Sequence, residues 1–203
     1  MENDIFDYEI NDEDDTISII GLSDGWEKLT EITIPEEIDG KKVSRIGHCA
    51  FRCCETLTSV TIPNSVITIG SYAFFNCESI KSINIPDSVT TIAHCAFSKC
   101  ISLKEVTIPS SVTTIGSFAF EGCASLKEII IPNGVTTIKE CTFFNCKSLK
   151  SVTIPNSVTK INEYAFGCCK SLKSVTIYDT LLEIAINAFP SKCEVIVRNN
   201  KEE

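Results

Sequence analysis

The chain has 203 residues, of which 43% are hydrophobic and 22% are charged, and its formal net charge is −9. This composition excludes a disordered chain, and no apolar stretch approaches the roughly 20 residues that a membrane-spanning helix needs. The charge is uneven, because residues 1–40 hold 14 acidic side chains and one lysine, whereas residues 41–203 hold 17 basic and 13 acidic side chains, a balance too weakly basic to predict nucleic-acid binding.

A β-hairpin is the first element that the sequence predicts. Residues 3–10 and 16–20 have the composition of two strands, and the acidic segment Asp12–Asp15 joins them. That segment lacks the glycine and the final glutamate of an EF-hand loop, so we interpret it as a solvated turn. We expect the hairpin to cover the first of the repeats that follow, with Trp26 closing the base of this cap.

Repeats of 23 residues fill most of the chain. A typical unit reads IPNSVTKINEYAFGCCKSLKSVT, and the first unit carries a five-residue insertion, because Pro35 lies 28 residues before Pro63. A period of 23 residues falls within the range of leucine-rich repeats. The residues that mark the period are Pro63, Pro86, Pro109, Pro132 and Pro155, followed by Tyr178 in the same place.

Apolar residues recur at fixed places in every repeat, and they predict a core shared between neighbouring coils. Each V-T-I segment alternates apolar and polar residues as a strand with one buried face does, and a second short extended or 3₁₀ segment precedes each A-F turn. We therefore predict an α/β-type solenoid that is mostly β, right-handed, with parallel sheets and coils about 4.8 Å apart. Three of the recurring columns are Ile46, Ile69, Ile92, Ile115, Ile138 and Ile161; Phe51, Phe74, Phe97, Phe120, Phe143 and Phe166; and Leu57, Ile80, Leu103, Leu126, Leu149 and Leu172.

No composition typical of a linker divides the chain, so residues 1–203 are predicted to form one domain. It comprises an N-terminal cap (1–33), the repeats (34–186) and a C-terminal cap with a tail (187–203). The C-terminal cap contains Ala188, Phe189 and a predicted strand Glu194–Arg198, and the polar tail NNKEE follows.

The twelve cysteines are predicted to be free thiols. Residues in adjacent coils lie about 4.8 Å apart, which exceeds the Cβ separation of about 3.8 Å in a disulfide. A second set, Cys49, Cys95 and Cys141, recurs only in every other coil. Such a thiol-rich chain fits a reducing compartment or an anaerobic habitat. The main column is Cys54, Cys77, Cys100, Cys123, Cys146 and Cys169.

Metal binding and catalysis have little support in the sequence. His48 and His94 lie beside Cys49 and Cys95, but they are two coils apart and no CxxC motif occurs, whereas zinc needs four converging ligands. The chain has no P-loop, no GxGxxG and no G-x-S-x-G motif. We expect no cofactor and no enzymatic activity, with a Cys/His metal protein as the least favoured alternative.

Any function of the repeats must be carried by side chains that point outward. Lysine precedes five successive predicted strands, and Ile130 is an apolar residue in a column where threonine is the rule. The recurring lysines form either a solvated edge or part of a face that binds an acidic or extended polar partner. The candidate partner-binding residues are Lys81, Lys104, Glu105, Lys127, Glu128, Ile130, Lys150 and Lys173.

The A-F turns carry a second set of candidates. Their aromatic side chains either form an exposed patch typical of interfaces or pack over the turns between coils. These residues are Tyr72, Phe75, Phe118, Phe144 and Tyr164.

The repeat sequence resembles the BspA-like leucine-rich repeats, which occur mostly in surface proteins of anaerobic bacteria and some protists. The motif IP-x-S-V-T-x-I-G-x-x-A-F-x-x-C-x-x-L-K-x-V-T is matched from about Ile34 to Ile177, and the insertion IPEEIDGKKVSRIG is also typical of that family. The resemblance implies a non-enzymatic scaffold for adhesion or protein binding.

Secreted members of that family carry a leader, and the start MENDIFDYEI has neither a basic nor an apolar leader region. The resemblance therefore implies the cell surface or secretion, whereas a chain that starts at Met1 would be a cytoplasmic structural or regulatory interaction protein. In either case we expect a protein partner, no nucleic acid, no membrane insertion and a monomer.

Overall fold

The computed structural model describes residues 5–26 and 28–199, and they form a mostly β solenoid of about eight turns. This confirms the predicted fold class. Most coils contribute one short front strand and one short back strand, and the A-F turn closes the coil along a third side, which we call the turn edge. Parallel pairing between successive coils builds a front ladder and a back ladder.

The front ladder contains the V-T-I segments. Its outward residues form the surface that we call the strand face. The front strands are β3 (Glu31–Thr33), β6 (Ser59–Thr61), β8 (Ser82–Asn84), β10 (Glu105–Thr107), β12 (Glu128–Ile130), β14 (Ser151–Thr153), β16 (Ser174–Tyr178) and β18 (Glu194–Arg198).

The back ladder contains the second extended segment of each coil, and the five-residue insertion adds a strand, β4 (Glu37–Ile38), antiparallel to β5 (Lys41–Ile46). The back strands are β5 (Lys41–Ile46), β7 (Thr68–Ile69), β9 (Thr91–Ile92), β11 (Thr114–Ile115), β13 (Thr137–Ile138), β15 (Lys160–Ile161) and β17 (Glu183–Ile184).

An N-terminal hairpin of β1 (Phe6–Asn11) and β2 (Thr16–Leu22) covers the first coil, as predicted, although residues 3 and 4 of the predicted first strand lie outside the described residues. Strand β2 runs parallel to β5. Its residues Ile17 and Ile19 are fully buried. The ring of Phe6 packs edge-on against Phe51, with ring centroids 6.5 Å apart.

Trp26 does not close the cap, contrary to the prediction. Its backbone takes the expected place at the turn, because its carbonyl accepts a hydrogen bond from the N–H of Leu29, but its side chain is 42% exposed. The indole ring is much larger than the thiol that fills this place in later coils, and Phe6 already covers the end of the core.

A stack of phenylalanine rings runs through the core from Phe51 to Phe189. Successive rings lie 5.2–5.5 Å apart and are nearly parallel. Burying one such ring contributes roughly 1.5–3 kcal/mol. Phe51 to Phe166 are fully buried, whereas Phe189 at the C-terminal end is only half-buried.

Two residues in most turns adopt the left-handed backbone conformation, which side chains other than glycine rarely adopt. Cys95 and Lys99 have φ angles of 54° and 61°. Their N–H groups donate to Ser117 and Glu121 in the next coil, at 3.1 and 2.7 Å. The unusual conformation therefore links the coils along the turn edge.

Both ladders are interrupted at the same place. Among the described residues, β10 is not paired with β12, and β11 is not paired with β13, so each ladder forms two separate sheets. The turn edge stays joined there, because Phe118 and Phe120 donate to the carbonyls of Glu140 and Thr142 at 3.0 and 2.8 Å.

Two substitutions in the repeat coincide with this interruption. In three other coils a serine hydroxyl donates to a valine carbonyl of the preceding coil, as Ser111 Oγ does to Val89 at 2.7 Å. Gly134 takes the place of that serine and has no hydroxyl to reach Val112. Thr142 replaces the usual small alanine, is fully buried, and adds volume between the same two coils.

Candidate protein-binding face

The strand face exposes all eight residues that the sequence predicted as partner-binding. The structure brings them together on one surface, where the lysines form a single column beside the outward residues of the front strands. They are Lys81, Lys104, Glu105, Lys127, Glu128, Ile130, Lys150 and Lys173.

Backbone hydrogen bonds between coils fix the spacing of this lysine column. The N–H of Lys104 donates to the carbonyl of Lys81 at 2.9 Å, and the N–H of Lys150 donates to that of Lys127 at 2.8 Å. The side chains therefore repeat at about the 4.8 Å spacing of neighbouring strands. Water and salt reduce the repulsion between such exposed charges.

No lysine of this column takes part in an ion pair within the described part of the chain. The ion pairs there join Lys41 to Asp15, Arg45 to Asp14 and Lys160 to Glu183, away from the strand face. The ammonium groups of the column are thus available to an incoming anionic or polar group.

A cleft of about 390 Å³ opens at the centre of the strand face, where β10 and β12 are not paired. Val106 is half-buried there, although the equivalent residue of the other described repeat coils is buried. Ile130 stands at the edge with 67% of its surface exposed. Glu105 and Glu128 flank it, so the centre combines an apolar anchor with carboxylates, and the lysine column runs alongside.

Sequence reasoning identified Ile130 but missed the cleft. The available signal was Gly134, the one glycine in a column of serines that ends in Thr180. The effect of this glycine depends on the hydrogen bond from serine to valine between coils, which the sequence alone does not reveal.

A second depression, of about 790 Å³, lies on the back of the last coils. The ion pair between Lys160 and Glu183, with an N–O distance of 2.9 Å, forms part of its lining. Glu140, Glu163 and the exposed Ile186 also contribute to it. Its charged groups are mixed in sign.

The aromatic residues of the turn edge pack on one another and on the histidines. Tyr72 lies between His48 and His94, with ring centroids 5.7 and 5.3 Å away, and the His94 Nε2 and Tyr72 Oη atoms are 3.2 Å apart. Most of these rings are half-buried, whereas Tyr164 is 44% exposed. The turn edge is therefore a packed row, with less free apolar surface than a separate exposed patch would offer.

The cysteine column forms a regular ladder of thiols. All twelve cysteines are free in this structure, and each buried thiol of the column donates to a phenylalanine carbonyl of the preceding coil, as Cys100 does to Phe74 at 3.2 Å. Burial raises the pKa of Cys100 to about 12. It also raises the pKa of Cys123 and Cys146 well above the ordinary value of a thiol.

No group of three or more histidine, cysteine or acidic side chains converges as metal ligands within residues 5–26 and 28–199. His48 and His94 instead contact the ring of Tyr72 from opposite sides. The same residues include no helix of the length and apolarity that crossing a membrane requires.

Comparisons with known proteins agree with this architecture. A model of the BspA type leucine rich repeat region matches residues 24–150 and 68–197, in 6 copies. A search of curated proteins finds no match.

Several solved structures are similar over most of the chain. A leucine rich cell surface protein from Faecalibacterium prausnitzii is 36% identical, with a TM-score of 0.85 over 98% of this chain. A leucine-rich repeat protein from Bacteroides ovatus is 33% identical, with a TM-score of 0.76 over 96%. The chain spans 54% of the length of each of these two proteins.

A leucine-rich repeat protein of T. pallidum is closer in size. It is 30% identical, with a TM-score of 0.68, over 83% of this chain and 88% of its own. With the family model matching most of the sequence and three solved relatives sharing its fold, the chain belongs to the BspA-type leucine-rich repeat family.

Proposed function

We propose that the chain is a non-enzymatic scaffold that binds another protein through its strand face. Leucine-rich repeat proteins are generally interaction scaffolds without enzymatic activity, which supports the first half of this proposal. The observation that carries the second half is the lysine column, whose five exposed ammonium groups have no ion-pair partner in the described chain.

The partner that fits this face is an extended segment with acidic and polar groups. Regularly spaced lysines attract carboxylates along the length of such a segment, and charge complementarity of this kind raises the association rate more than the affinity. At the centre, Ile130 and the cleft beside it offer an apolar anchor of the sort that supplies much of the binding energy in protein interfaces.

Adhesion at a cell surface is the biological setting that we propose for this activity. The support is the family resemblance and the description of the F. prausnitzii relative as a cell surface protein. Twelve free thiols fit an anaerobic surface, but they equally fit a reducing cytoplasm. An internal structural or regulatory partner is therefore the alternative, and the identity of the captured protein distinguishes the two.

The test begins with capture of a partner by the purified full chain, its identification and its purification. Changing Lys104, Lys127 and Lys150 together to Gln should slow association with that partner roughly three- to tenfold at low salt and flatten its salt dependence. The matched control changes Lys42, Lys99 and Lys139 to Gln, which removes the same charge away from the strand face. If both triple variants associate as fast as the unmodified chain, the strand face is not the binding surface.

Ile130→Thr tests the apolar anchor separately, because it restores the usual residue of that column. The melting temperature should stay unchanged, since the side chain is largely exposed, while binding of the captured partner weakens by about 1–2 kcal/mol. Unchanged affinity would remove Ile130 and the cleft from the proposed site.

A further inference from the structure

In the part of the chain that the structure describes, the last coils of the solenoid leave their apolar columns uncovered. Among the described residues, thirteen large apolar side chains are exposed, and six of them lie in or beside the last two strands. Val195 follows Val175 in the inward register, and Ile184 follows Ile161. The six are Leu182, Ile184, Ile186, Val195, Ile196 and Val197.

Within residues 28–199, the last front strand also has an unpaired edge. Strand β18 pairs with β16 on one side and ends its sheet on the other. Natural proteins usually protect such an edge, because its free N–H and C=O groups recruit another strand. At the N-terminal end, by contrast, the hairpin buries Phe6, Ile17 and Ile19 over the first coil.

The sequence of β18, Glu-Val-Ile-Val-Arg, is complementary to itself in antiparallel orientation. Two copies centred on Ile196 would place Glu194 opposite Arg198 and Val195 opposite Val197. Cross-strand pairs of opposite charge and of β-branched residues stabilise antiparallel sheets.

The faces of the strand agree with this pairing. Glu194 and Ile196 continue the outward columns of Ser174 and Thr176, and Val195 continues the inward column of Val175. Directly opposite residues in a sheet share a face, so each charged pair would lie outward and each valine pair inward. The interiors of the two solenoids would then meet end to end and cover the exposed apolar columns.

We propose that two copies of this chain associate through antiparallel pairing of their β18 strands around a two-fold axis at Ile196. Such an interface is closed, because the same surface serves both copies. The acidic N-terminal regions lie at the far ends of the dimer, and the strand face stays open on both copies. The dimer does not depend on the proposed function, and it differs from the monomer expected from the sequence, which the experiment below tests.

Sedimentation equilibrium of the full chain in reductant tests the proposal, with the reductant excluding disulfide-linked oligomers. We expect twice the chain mass of 22.3 kDa at about 100 µM and a single dissociation constant. Ile196→Asp places two like charges together on the axis and should weaken the dimer at least tenfold. The matched control is Ile130→Asp, because Ile130 lies in the same outward column but away from the interface, and it should leave the dimer intact.

A charge exchange makes the test independent of that substitution. Glu194→Arg or Arg198→Glu alone should weaken the dimer, and the two together in one chain should restore it. A monomeric unmodified chain, dissociation by Ile130→Asp as large as by Ile196→Asp, or failure of the double exchange would overturn the proposal. Oligomers that keep growing with concentration would also overturn it, in favour of head-to-tail stacking.

Discussion

The thiol column shows how a single residue type serves the contact between coils. Each buried thiol fills a small apolar space and gives its weak S–H hydrogen bond to a phenylalanine carbonyl of the preceding coil. The neutral thiol is what the core accommodates, because a thiolate at the same depth would lose its solvation.

Stability should therefore fall in alkaline solution. Burial raises the pKa of Cys100 from 9.0 to about 12 in the folded chain, so this thiol holds its proton after the unfolded chain has lost it. Its contribution is fully present below pH 9 and is lost as the pH rises towards 12. Cys100 alone should lower the free energy of unfolding by about 1.4 kcal/mol per pH unit in that interval.

Urea unfolding in reductant at pH 8, 9, 10 and 11 measures this effect. Cys100→Ala should be less stable than the unmodified chain at pH 8, because it leaves a cavity, but its stability should fall less steeply above pH 9. Equal stability of the unmodified chain at pH 8 and pH 11 would contradict the expectation.

At the scale of the elements, front and back strands of two to six residues are too short to be stable alone, and side chains add to the ladder bonds that join them. The hydroxyls of Ser88, Ser111 and Ser157 donate to valine carbonyls at 2.6–3.0 Å. Ser65 stands in the same column, but its Oγ atom is buried and has no hydrogen-bond partner among the residues that the structure describes.

This difference gives a matched pair of substitutions. Ser111→Ala should lower the free energy of unfolding by about 1 kcal/mol, because the carbonyl of Val89 loses its partner. Ser65→Ala should be neutral or slightly stabilising, since it removes a buried hydroxyl that satisfies nothing. Urea unfolding of both variants checks the pair, and an equal loss in each would show that the hydrogen bond is not the cause.

The periodic sequence predicted the elements well where every coil behaves alike. The column of phenylalanines from Phe51 to Phe166, one in each repeat, indicates which positions face inward. The exposed positions of the lysines follow from the same register. The interruption after β10 was not predictable in this way, because a repeat pattern describes an average coil and not the fit between two particular neighbours. The repeat pattern also did not predict the left-handed backbone of residues such as Lys99. Asn76 and Gly122, in the same column, are nevertheless residue types that favour this conformation.

At the scale of the whole molecule, the two ends of the stack differ. The hairpin covers the N-terminal end, whereas the last coils leave apolar columns exposed within the described residues. Repeat proteins need a covered end for solubility. The N-terminal hairpin should therefore contribute more to the free energy of unfolding of the isolated chain than the C-terminal tail does.

Truncation of each end in turn tests this difference in stability. Removing residues 1–33 uncovers the core beneath Phe6, Ile17 and Ile19, which should cost roughly 5 kcal/mol or more at 1.5–3 kcal/mol per side chain, and should cause aggregation. Removing residues 199–203 should change little. Size-exclusion chromatography and urea unfolding compare the two, and a hairpin-free chain with the size and stability of the full chain would show that the hairpin is not a cap.

The uneven joining of the coils at the interruption has a mechanical consequence. Front and back strands are unpaired there, and beside the front strands a long hydrogen bond remains, from the N–H of Lys127 to the carbonyl of Lys104 at 3.4 Å, while the turn edge keeps several shorter ones, such as that from Gly122 to the carbonyl of Phe144 at 2.8 Å. A rod held mainly along one edge should bend most easily about that edge, so we expect the two halves of the solenoid to act as stiff arms whose mutual angle sets the curvature of the strand face. Flexing would carry Glu105 and Glu128 apart or together, and a long ligand spanning both arms would select one curvature from that range.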